Sequence, residues 1–331
     1  MRRIASKISV VGCGTWPTTI AKILVENGND VTIWCHRQSI ADEINEQHTH
    51  KKVLPDCPLP QRLFATTDLK KACEYSDAIV IGLASSYYYH IPEVANHVTK
   101  KPILSLTKGL LSDQHLVIST YLCDVFKSSP IAVLSGPNLA KEIAFKKPAA
   151  TVVASPDSSP AHFFQNALSN TYFRVYTSSD RVGVELGGVL KNIMAIAAGI
   201  SDKLGLGSNA KAALITRGLQ EMVRFSSMLQ AKPETLYGLS GLGDLIATCD
   251  SSQSRNYRVG LGLASGLSVD TILKELGQHA EGINTTKVVI KQAQEWGVDM
   301  PISQAVHDVL FSEVSPHDAL MNLMKRGLKA E

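Results

Sequence analysis

A lysine in an otherwise apolar helical segment is the first residue of this sequence that could do chemistry. The stretch VELGGVLKNIMAIAAG, residues 184–199, carries Lys191 and Asn192 among small apolar residues. A lysine buried in such a helix would be costly without a partner, and burial would lower its pKa toward the range useful for proton transfer. A lysine on the solvent face explains the pattern equally well. Lys191 is therefore a candidate acid–base group with a plain structural alternative.

A second polar cluster lies in LSGLGDLIATCDSSQSRNYRVG, residues 239–260, and contains Asp244, Ser254, Arg255 and Asn256. An arginine guanidinium can hold a phosphate through two parallel hydrogen bonds, while hydroxyl and amide groups complete the shell. A plain polar loop is the default explanation for any one of these residues. Their combination indicates a phosphate-binding segment.

Two further polar segments each follow a predicted strand. They are LTKGL, residues 106–110, and LSGPNLAKEIA, residues 134–144. Ligands of open α/β sheets bind at the carboxyl ends of the strands. We therefore expect the polar groups of both segments at the ligand edge of a sheet.

A glycine turn opens the chain in VVGCGTWPTT, residues 10–19. It lies between a short apolar run and a helical segment, so Gly12 would permit a tight turn and Gly14 would let a pyrophosphate approach the amides at the helix start. Pro17 stands where the dinucleotide-binding fingerprint has its third glycine, but a proline in the first helical turn loses only an amide without an intrahelical partner. Taken alone, the turn fits a cofactor loop and an ordinary strand–helix connection equally well.

The end of the second predicted strand addresses the choice of nicotinamide cofactor. An acidic residue there would bind the ribose hydroxyls of NAD. The sequence instead has Trp34-Cys35-His36-Arg37 and no acidic residue before Asp42. A basic pair suits the 2′-phosphate of NADP, so we predict an NADP preference; the alternative is a solvated turn with a chance arginine.

The elements that must position these residues fall into two halves. The first half alternates apolar runs with helical stretches, which is typical of βαβ units and a largely parallel sheet. The runs are residues 8–11, 31–34, 78–81, 103–106, 131–134, 151–154 and 174–176. From Gly183 the pattern changes to long helical segments, as in residues 184–199 and 209–229. The sequence predicts an α/β fold: a Rossmann-type doubly wound sheet domain over residues 1–182, then an all-α helical domain over residues 183–331, with a ligand cleft between them.

Composition favours a protein that acts on small molecules. The chain has 331 residues, 44% hydrophobic content and a net charge of +3, and its basic residues are scattered, so neither nucleic acid nor a membrane surface is predicted as a partner. The six cysteines form no CxxC pair, which fits reduced thiols in the cytoplasm. The N-terminus lacks a signal-peptide pattern, and no apolar stretch approaches the roughly 20 residues of a membrane span.

Two smaller features have structural rather than functional explanations. His48 and His50 lie in a polar tip, residues 46–52, without a further ligand at metal spacing, so we expect an exposed loop there rather than a metal site. The run Tyr87-Tyr88-Tyr89 follows a predicted strand. We expect it to pack the next helix rather than to bind a ligand.

Eight motifs occur in order across nearly the whole chain, and together they resemble the NAD(P)-dependent glycerol-3-phosphate dehydrogenases of bacteria. Each motif alone is modest, but the ordered set is specific. The motifs are the glycine turn with Trp16, LTKGL, SGPNLAKE, ELGGVLKNIMAIAAGI, NAKAALITRGLQEM, GLGDLIATC, SRNYRVG and AEGINT.

The resemblance implies reversible oxidation of sn-glycerol 3-phosphate to dihydroxyacetone phosphate with NAD(P), a reaction that supplies the backbone of glycerophospholipids. It implies that Lys191 is the base in oxidation and the acid in reduction, and that Asp244 orients Lys191 or a substrate hydroxyl. The implied substrate-binding residues are Lys108, Gly136, Asn138, Lys191, Asp244, Ser254, Arg255 and Asn256. The implied cofactor-binding residues are Gly12, Gly14, Thr15, Trp16, His36, Arg37, Lys108, Ala140, Arg255 and Glu281.

The sequence departs from the pattern of the family it resembles in three places. Pro17 replaces a glycine, Asn138 replaces a serine, and Gly82-Leu83-Ala84-Ser85 replaces a proline-containing turn. Asn138 can still donate and accept hydrogen bonds. The departure at Pro17 bears on how closely helix and strand pack, and so on cofactor affinity.

Two other hypotheses remain from the sequence. One is another two-domain dehydrogenase, of the 6-phosphogluconate or 3-hydroxyacyl-CoA type, although the Asp244 and Ser254-Arg255-Asn256 segments favour a small phosphorylated polyol. The other is a non-catalytic NADP sensor, for which Lys108, Lys191 and Asp244 would be unnecessary. A homodimer formed through apolar faces of the helical half is a further expectation.

Overall fold

One twisted sheet organises the first half of the protein. The computed structural model describes residues 5–111, 117–277 and 280–328. In these residues the sheet has the strand order β3-β2-β1-β4-β5-β6-β7-β8, and all neighbouring strands are parallel except β6 and β7. The strands are β1 (Lys7–Val11), β2 (Asp30–Trp34), β3 (Phe64–Thr66), β4 (Ala78–Ile81), β5 (Ile103–Ser105), β6 (Ile131–Ser135), β7 (Ala149–Ala154) and β8 (Phe173–Ser178). The chain order reverses between β1 and β4, which is where doubly wound folds bind their ligands.

The predicted fold class is confirmed, and the sequence located every strand except β3. Among the found strands, β4, β5 and β6 are apolar runs buried along their whole length, which is the strongest local pattern for a parallel strand. β8 instead alternates buried and exposed residues. β3 has only three residues, Phe64 to Thr66, with Phe64 and Thr66 outside the core. Too few residues alternate there to give a pattern.

Helices cover the sheet. They are α1 (Thr15–Glu26), α2 (Gln38–Asp42), α3 (Leu69–Glu74), α4 (Ile91–Ala95), α5 (Ile118–Phe126), α6 (Ala140–Ala144) and α7 (Ser158–Leu168). A π-helical turn, Glu43–Gln47, extends α2, and a 3₁₀ turn, Ser85–His90, precedes α4. The core of this half includes Ile20 and Leu24 of α1 packed with Val10, Ile33 and Val80 of the sheet.

The second half is helical, as predicted. Its helices are α8 (Arg181–Lys203), α9 (Gly207–Ser227), α10 (Pro233–Leu236), α11 (Asp244–Cys249), α12 (Arg255–Ala264), α13 (Val269–Leu276), α14 (Glu281–Trp296), α15 (Pro301–Phe311) and α16 (Pro316–Met324). A π-helical turn, Leu239–Gly243, leads directly into α11. The chain divides into two compact units: a sheet unit of Met1–Lys108 with Asp113–Glu185, and a helical unit of Gly109–Ser112 with Leu186–Glu331.

Two smaller expectations need correction. The loop around His48, which we predicted to be exposed, is partly buried: His50 is 1% exposed, and its ring nitrogen lies 3.4 Å from the Thr18 hydroxyl. Helix α8 is also long and apolar enough to span a membrane, contrary to the expectation from sequence, although 94% of its most apolar window is buried inside the protein, as in the core helix of a globular fold. In the tyrosine run, Tyr88 is buried as expected, whereas Tyr87 and Tyr89 are exposed.

Candidate active site

The glycine turn lies at the point where the strand order reverses. Gly12 has φ +110°, and a Cβ there would lie 2.7 Å from the carbonyl oxygen of Gly82, the residue after β4. Only glycine fits such a contact between two backbones. The Gly12 amide donates to the Trp34 carbonyl at 3.2 Å, and the Gly82 amide donates to the Val11 carbonyl at 2.9 Å. The turn is therefore fixed between the ends of its two neighbouring strands.

The start of α1 suits an anion. Gly14 is exposed, and a Cβ there would meet only the Pro17 ring, at 3.8 Å or more. No side chain caps this helix, and the first helical bond runs from the Thr18 amide to the Gly14 carbonyl, so the amides of Thr15 and Trp16 point out of the helix end. Such amides, together with the positive end of the helix dipole, bind phosphate groups. These residues fit the pyrophosphate of a dinucleotide.

Pro17 and Gly82 together explain two departures from the family pattern. A Cβ at Gly82 would lie 2.5 Å from the Cβ of Pro17, so the proline ring fills the space that a side chain after β4 would occupy. The ring is buried in the first turn of α1, where its missing amide costs no helical bond. Helix and strand therefore pack closely through a proline–glycine contact in place of a glycine at position 17.

The end of β2 presents basic side chains to solvent. His36 and Arg37 are both exposed, and the backbone at Arg37 is extended just before α2 begins. The next acidic residue along the chain, Asp42, accepts a hydrogen bond from Gln38 at 2.7 Å. The positions that would meet a cofactor ribose thus carry positive charge.

Lys108, Gly136 and Asn138 meet at the ligand edge of the sheet unit. The Lys108 ammonium donates to the Gly136 carbonyl at 3.2 Å. The Asn138 amide donates to the Ala150 carbonyl at 3.2 Å and accepts from the Thr151 hydroxyl at 2.8 Å, so one of its hydrogens and one lone pair remain for a ligand. Both polar segments after β5 and β6 therefore reach one place, as their sequence position predicted.

Ala140 lies close to the glycine turn. It begins α6, and its carbonyl accepts a hydrogen bond from the Thr19 hydroxyl of α1 at 3.3 Å. Trp16 extends from the first turn of α1 and packs edge-on against Phe173, with 6.3 Å between the ring centroids. Ala140 thus lies beside α1, the helix that carries Trp16.

Lys191 is buried in the helical unit, with 7% of its surface exposed, so the solvent-face alternative is wrong. Its ammonium donates to the Asp244 carboxylate, which is 1% exposed, and to the Thr248 hydroxyl at 2.8 Å. Asp244 and Thr248 are one turn apart on α11, so both oxygens face the same nitrogen. A carboxylate in direct contact with an ammonium group favours its charged form.

Close backbone contacts set this geometry. A Cβ at Gly187 of α8 would lie 2.5 Å from the Ser240 carbonyl oxygen, and a Cβ at Gly241 would lie 2.0 Å from the Leu236 carbonyl oxygen. Helix α8 therefore packs directly on the turn that leads into α11. Lys191 lies one helical turn after Gly187 on α8, and Asp244 directly follows the π-helical turn that packs against α8. The two glycines therefore bring the charged groups of Lys191 and Asp244 together.

The polar segment around Arg255 begins α12. The Ser254 hydroxyl caps this helix by accepting from the Tyr257 amide at 3.2 Å. The Asn256 side chain accepts from the Gly282 amide at 3.0 Å, and a Cβ at Gly282 would lie 3.0 Å from the Asn192 carbonyl oxygen. The segment is thereby joined to the residue that follows Lys191.

Arg255 and Glu281 lie at the starts of α12 and α14. The Arg255 side chain is exposed, and it is close enough to Glu281 for their opposite charges to interact. The predicted site residues of the helical unit thus lie on four helices, α8, α11, α12 and α14.

Two family models match this chain. The N-terminal model of the NAD-dependent glycerol-3-phosphate dehydrogenases covers residues 7–161, and the C-terminal model covers residues 180–321. The chain belongs to the glycerol-3-phosphate dehydrogenase family. This confirms the resemblance drawn from the ordered motifs.

Individual members of the glycerol-3-phosphate dehydrogenase family align over almost the entire chain. The chain is 42% identical over 330 residues to glycerol-3-phosphate dehydrogenase (NAD(P)+) of Lysinibacillus sphaericus, with 98% of each chain covered. The crystal structure of glycerol-3-phosphate dehydrogenase from Coxiella burnetii matches with a TM-score of 0.93 at 38% identity, covering 97% of this chain and 99% of that one. The yeast glycerol-3-phosphate dehydrogenase structure matches with a TM-score of 0.85 at 28% identity, covering 98% and 100%.

Sequence reasoning missed Thr248, Gly187 and Gly241. Thr248 lies four residues after Asp244, a helical spacing that the sequence shows, but the partner of both residues is on a distant helix. Gly187 and Gly241 stand in glycine-rich motifs whose close contacts only the folded backbone reveals. The signal for each was present as spacing or composition without a visible partner.

Proposed function

We propose that this glycerol-3-phosphate dehydrogenase family member reversibly oxidises sn-glycerol 3-phosphate to dihydroxyacetone phosphate with NAD(P), and that it serves glycerophospholipid synthesis. One observation carries the chemistry: an ammonium group, Lys191, buried against Asp244 and Thr248. A buried, oriented ammonium is what a carbonyl oxygen needs when it becomes an alcohol. The proposed domains are residues 1–182 for the cofactor and residues 183–331 for substrate binding and catalysis.

The sheet unit holds the cofactor in this proposal. The amides at the start of α1 bind its pyrophosphate, and His36 and Arg37 favour the 2′-phosphate of NADP. When bound, the nicotinamide supplies or accepts the hydride at carbon 2 of the substrate. The other proposed contacts are Gly12, Gly14, Thr15, Trp16, Lys108, Ala140, Arg255 and Glu281.

Lys191 moves the proton. In reduction its ammonium donates a proton to the ketone oxygen, and in oxidation its amine accepts the proton of the hydroxyl group. Asp244 and Thr248 fix the position of the nitrogen, and the negative charge of Asp244 stabilises the ammonium that oxidation produces. Reduction therefore starts from the ammonium form, which the contact with Asp244 favours.

We assign the substrate phosphate to the polar segment around Arg255. Arg255, with the Ser254-capped start of α12 and the Asn256 amide, offers donors to a phosphate. Lys108 is proposed as a further substrate-binding residue. Gly136 and Asn138 contribute carbonyl and amide groups beside Lys108. A small phosphorylated polyol matches this set of donors.

The deciding experiment is an assay of dihydroxyacetone phosphate reduction with NADPH and with NADH. Lys191→Ala should lower turnover by about a hundredfold or more if Lys191 transfers the proton. The matched control is Lys203→Ala, which removes an exposed lysine from the same helix. Thermal unfolding checks that Lys191→Ala folds, because it leaves Asp244 buried without its cation. If the folded wild-type protein reduces dihydroxyacetone phosphate with neither cofactor, the enzyme hypothesis is refuted and the hypothesis of a non-catalytic NADP sensor remains.

Cofactor preference is tested with Arg37→Ala. We expect its KM for NADPH to rise about tenfold, a loss of about 1.4 kcal/mol, while its KM for NADH stays nearly unchanged. The control is Arg62→Ala, since Arg62 pairs with Asp30 at the exposed amino end of β2. An equal rise for both cofactors would contradict the assignment of Arg37 to the 2′-phosphate.

We further propose a cytoplasmic homodimer that associates through the helical half. Exposed apolar side chains there support an apolar contact, among them Tyr237, Phe311 and Met324. Light scattering of the purified protein gives its mass directly, and a monomer at micromolar concentration would refute the dimer.

A further inference from the structure

Two cysteines meet at the glycine turn. Cys13 is its middle residue, and Cys35 directly follows β2. Val11 pairs with Trp34 in the parallel ladder, so Cys35 lies beside Gly12, the residue that precedes Cys13. The Gly12 amide donates a hydrogen bond to the Trp34 carbonyl at 3.2 Å, which holds the turn against the end of β2. The Cys35 thiol donates a hydrogen bond to the sulfur of Cys13, so the two side chains are in contact.

The two thiols have different chemical environments. The pKa of Cys13 is lowered because Cys35 donates a hydrogen bond to its thiolate, with further help from the His36 amide and the Arg37 charge, while burial opposes the shift. The pKa of Cys35 is raised because this thiol keeps its proton for Cys13 and is buried. Cys13 is therefore the nucleophile of the pair, and Cys35 is the thiol that can resolve an oxidised Cys13.

Exposure agrees with these roles. Cys13 is partly exposed beside exposed Gly14, whereas Cys35 is completely buried. A small oxidant therefore reaches Cys13 first. Cys73 is buried, and burial raises its pKa to about 12. Cys123 is partly exposed, but it contacts the Arg181 guanidinium at 3.1 Å rather than a second thiol.

We propose that Cys13 and Cys35 are an oxidisable dithiol pair and that their disulfide closes the cofactor turn. The oxidant is a peroxide. The Cys13 thiolate attacks one peroxide oxygen, the O–O bond breaks, and Cys13 becomes a sulfenic acid as hydroxide leaves and takes up a proton. The Cys35 sulfur then attacks the Cys13 sulfur, and the sulfenic oxygen leaves as water. In total two thiols and one hydrogen peroxide give one disulfide and two water molecules.

The disulfide acts on the cofactor through the backbone. It draws the two sulfurs closer than their hydrogen bond does, so either the turn around Cys13 or the segment after Cys35 must move. The turn is held against Gly82, where the backbone has no spare room. The first segment carries the amides at the start of α1, and the second carries His36 and Arg37. Movement of either segment should lower the affinity for the cofactor. This expectation rests on the proposed assignment of the turn to NAD(P).

The experiment treats the reduced, full-length protein with hydrogen peroxide, with and without saturating NADPH. Alkylation and digestion without reductant, followed by mass spectrometry, locate the disulfide, and NADPH fluorescence gives Kd before oxidation, after it and after dithiothreitol. We expect a Cys13–Cys35 disulfide and a Kd that rises about tenfold or more and recovers on reduction. Bound NADPH should slow oxidation because it covers the turn.

Three variants separate the steps. Cys35→Ser should trap Cys13 as a sulfenic acid that reacts with dimedone, and Cys13→Ala should keep the same Kd before and after peroxide. Cys123→Ser is the matched control and should form the disulfide as the wild type does. If Cys13 and Cys35 are still alkylated as thiols when Cys123 is already oxidised, they are not an oxidisable pair. If the disulfide forms but leaves the Kd for NADPH unchanged, it does not affect the cofactor turn. If the reduced protein binds no NADPH, the cofactor assignment is refuted. Mass spectrometry of the oxidised protein then still tests whether Cys13 and Cys35 form a disulfide.

Discussion

The candidate site residues of the two units are of different kinds. In the sheet unit the glycine turn offers backbone amides, and its key residues, Gly12 and Gly82, act through the side chains they lack. In the helical unit the site consists of buried charged and polar side chains, Lys191, Asp244 and Thr248. A backbone site recognises shape and negative charge, whereas a buried ion pair can hold and release a proton. The difference underlies our proposal that the sheet unit binds the cofactor and the helical unit transfers the proton.

Glycine serves both units in different ways. At Gly12 it allows two strand ends and a turn to touch, while at Gly187 it allows a helix to rest on another segment. The first contact shapes a surface for a ligand. The second sets the distance between the side chains of Lys191 and Asp244. Substitutions at glycines should therefore affect affinity in the sheet unit and turnover in the helical unit.

The largest effect on stability is expected from Gly187→Ala. Its Cβ would meet the Ser240 carbonyl, which is backbone and cannot rotate away, so we expect a loss of about 3 kcal/mol in the free energy of unfolding. Turnover should also fall, since α8 must move away from the segment that carries Asp244. Denaturant unfolding and the reduction assay measure both, with Gly327→Ala, which meets no neighbour, as control. Unchanged stability and turnover would remove the role assigned to this contact.

Glu185 contrasts with the Lys191 pair, because this carboxyl is buried in the sheet unit and is bonded to the Ser119 amide at 3.1 Å. Burial raises its pKa from 4.5 to about 7. Between these two values only the unfolded chain ionises, so the free energy of unfolding falls as the pH rises, by up to about 3 kcal/mol in total. Below this window both states are protonated, and above it both are ionised, so the loss is complete above the folded pKa.

Glu185→Gln should therefore be more stable than the wild type above pH 7 by about 1–3 kcal/mol, and the difference should shrink toward pH 4.5. Its side-chain carbonyl can still accept from the Ser119 amide. Unfolding by denaturant at several pH values measures the difference, and Glu46→Gln, at an exposed site of the same unit, is the control. A difference that does not vary with pH would contradict the shifted ionisation.

Effects no larger than those at Glu185 should come from the proline–glycine contact. Gly82→Ala alone should lower stability by about 1–3 kcal/mol, and adding Pro17→Gly should recover most of that loss because the new methyl group gains the space of the ring. Pro17→Gly alone should change the cofactor KM by less than about tenfold, or about 1.4 kcal/mol. Additive losses in the double variant would show that the two residues are independent. A much larger improvement in KM would show that the native turn is impaired.

Much of the fold was predictable because its signals are local. The strands are continuous apolar runs, and Gly12 and Gly14 lie between a strand and a helix as a phosphate-binding turn requires. β3 was missed because three residues give no period. The burial of His50 was missed because its neighbours in the chain are polar and its cover comes from α1.

The site was predictable as a set of residues but not as a geometry. Lys191 carried two equal explanations, since a helix pattern does not tell which face meets another helix. Its contact with Asp244 joins residues 53 positions apart in the chain. The fit of Pro17 against Gly82 likewise joins two departures that look unrelated in the sequence. Long-range pairing decides all three, and one sequence does not show it.

Chemical rescue of Lys191→Ala tests the central claim most directly. The variant leaves Asp244 and Thr248 around a space the size of the lost side chain, so a small alkylammonium ion should enter it and donate the proton in place of Lys191. We expect dihydroxyacetone phosphate reduction by the variant to be slow and to rise with the concentration of methylammonium, while Lys203→Ala shows no such response. Full turnover by Lys191→Ala without any amine would contradict the assignment of the proton to Lys191.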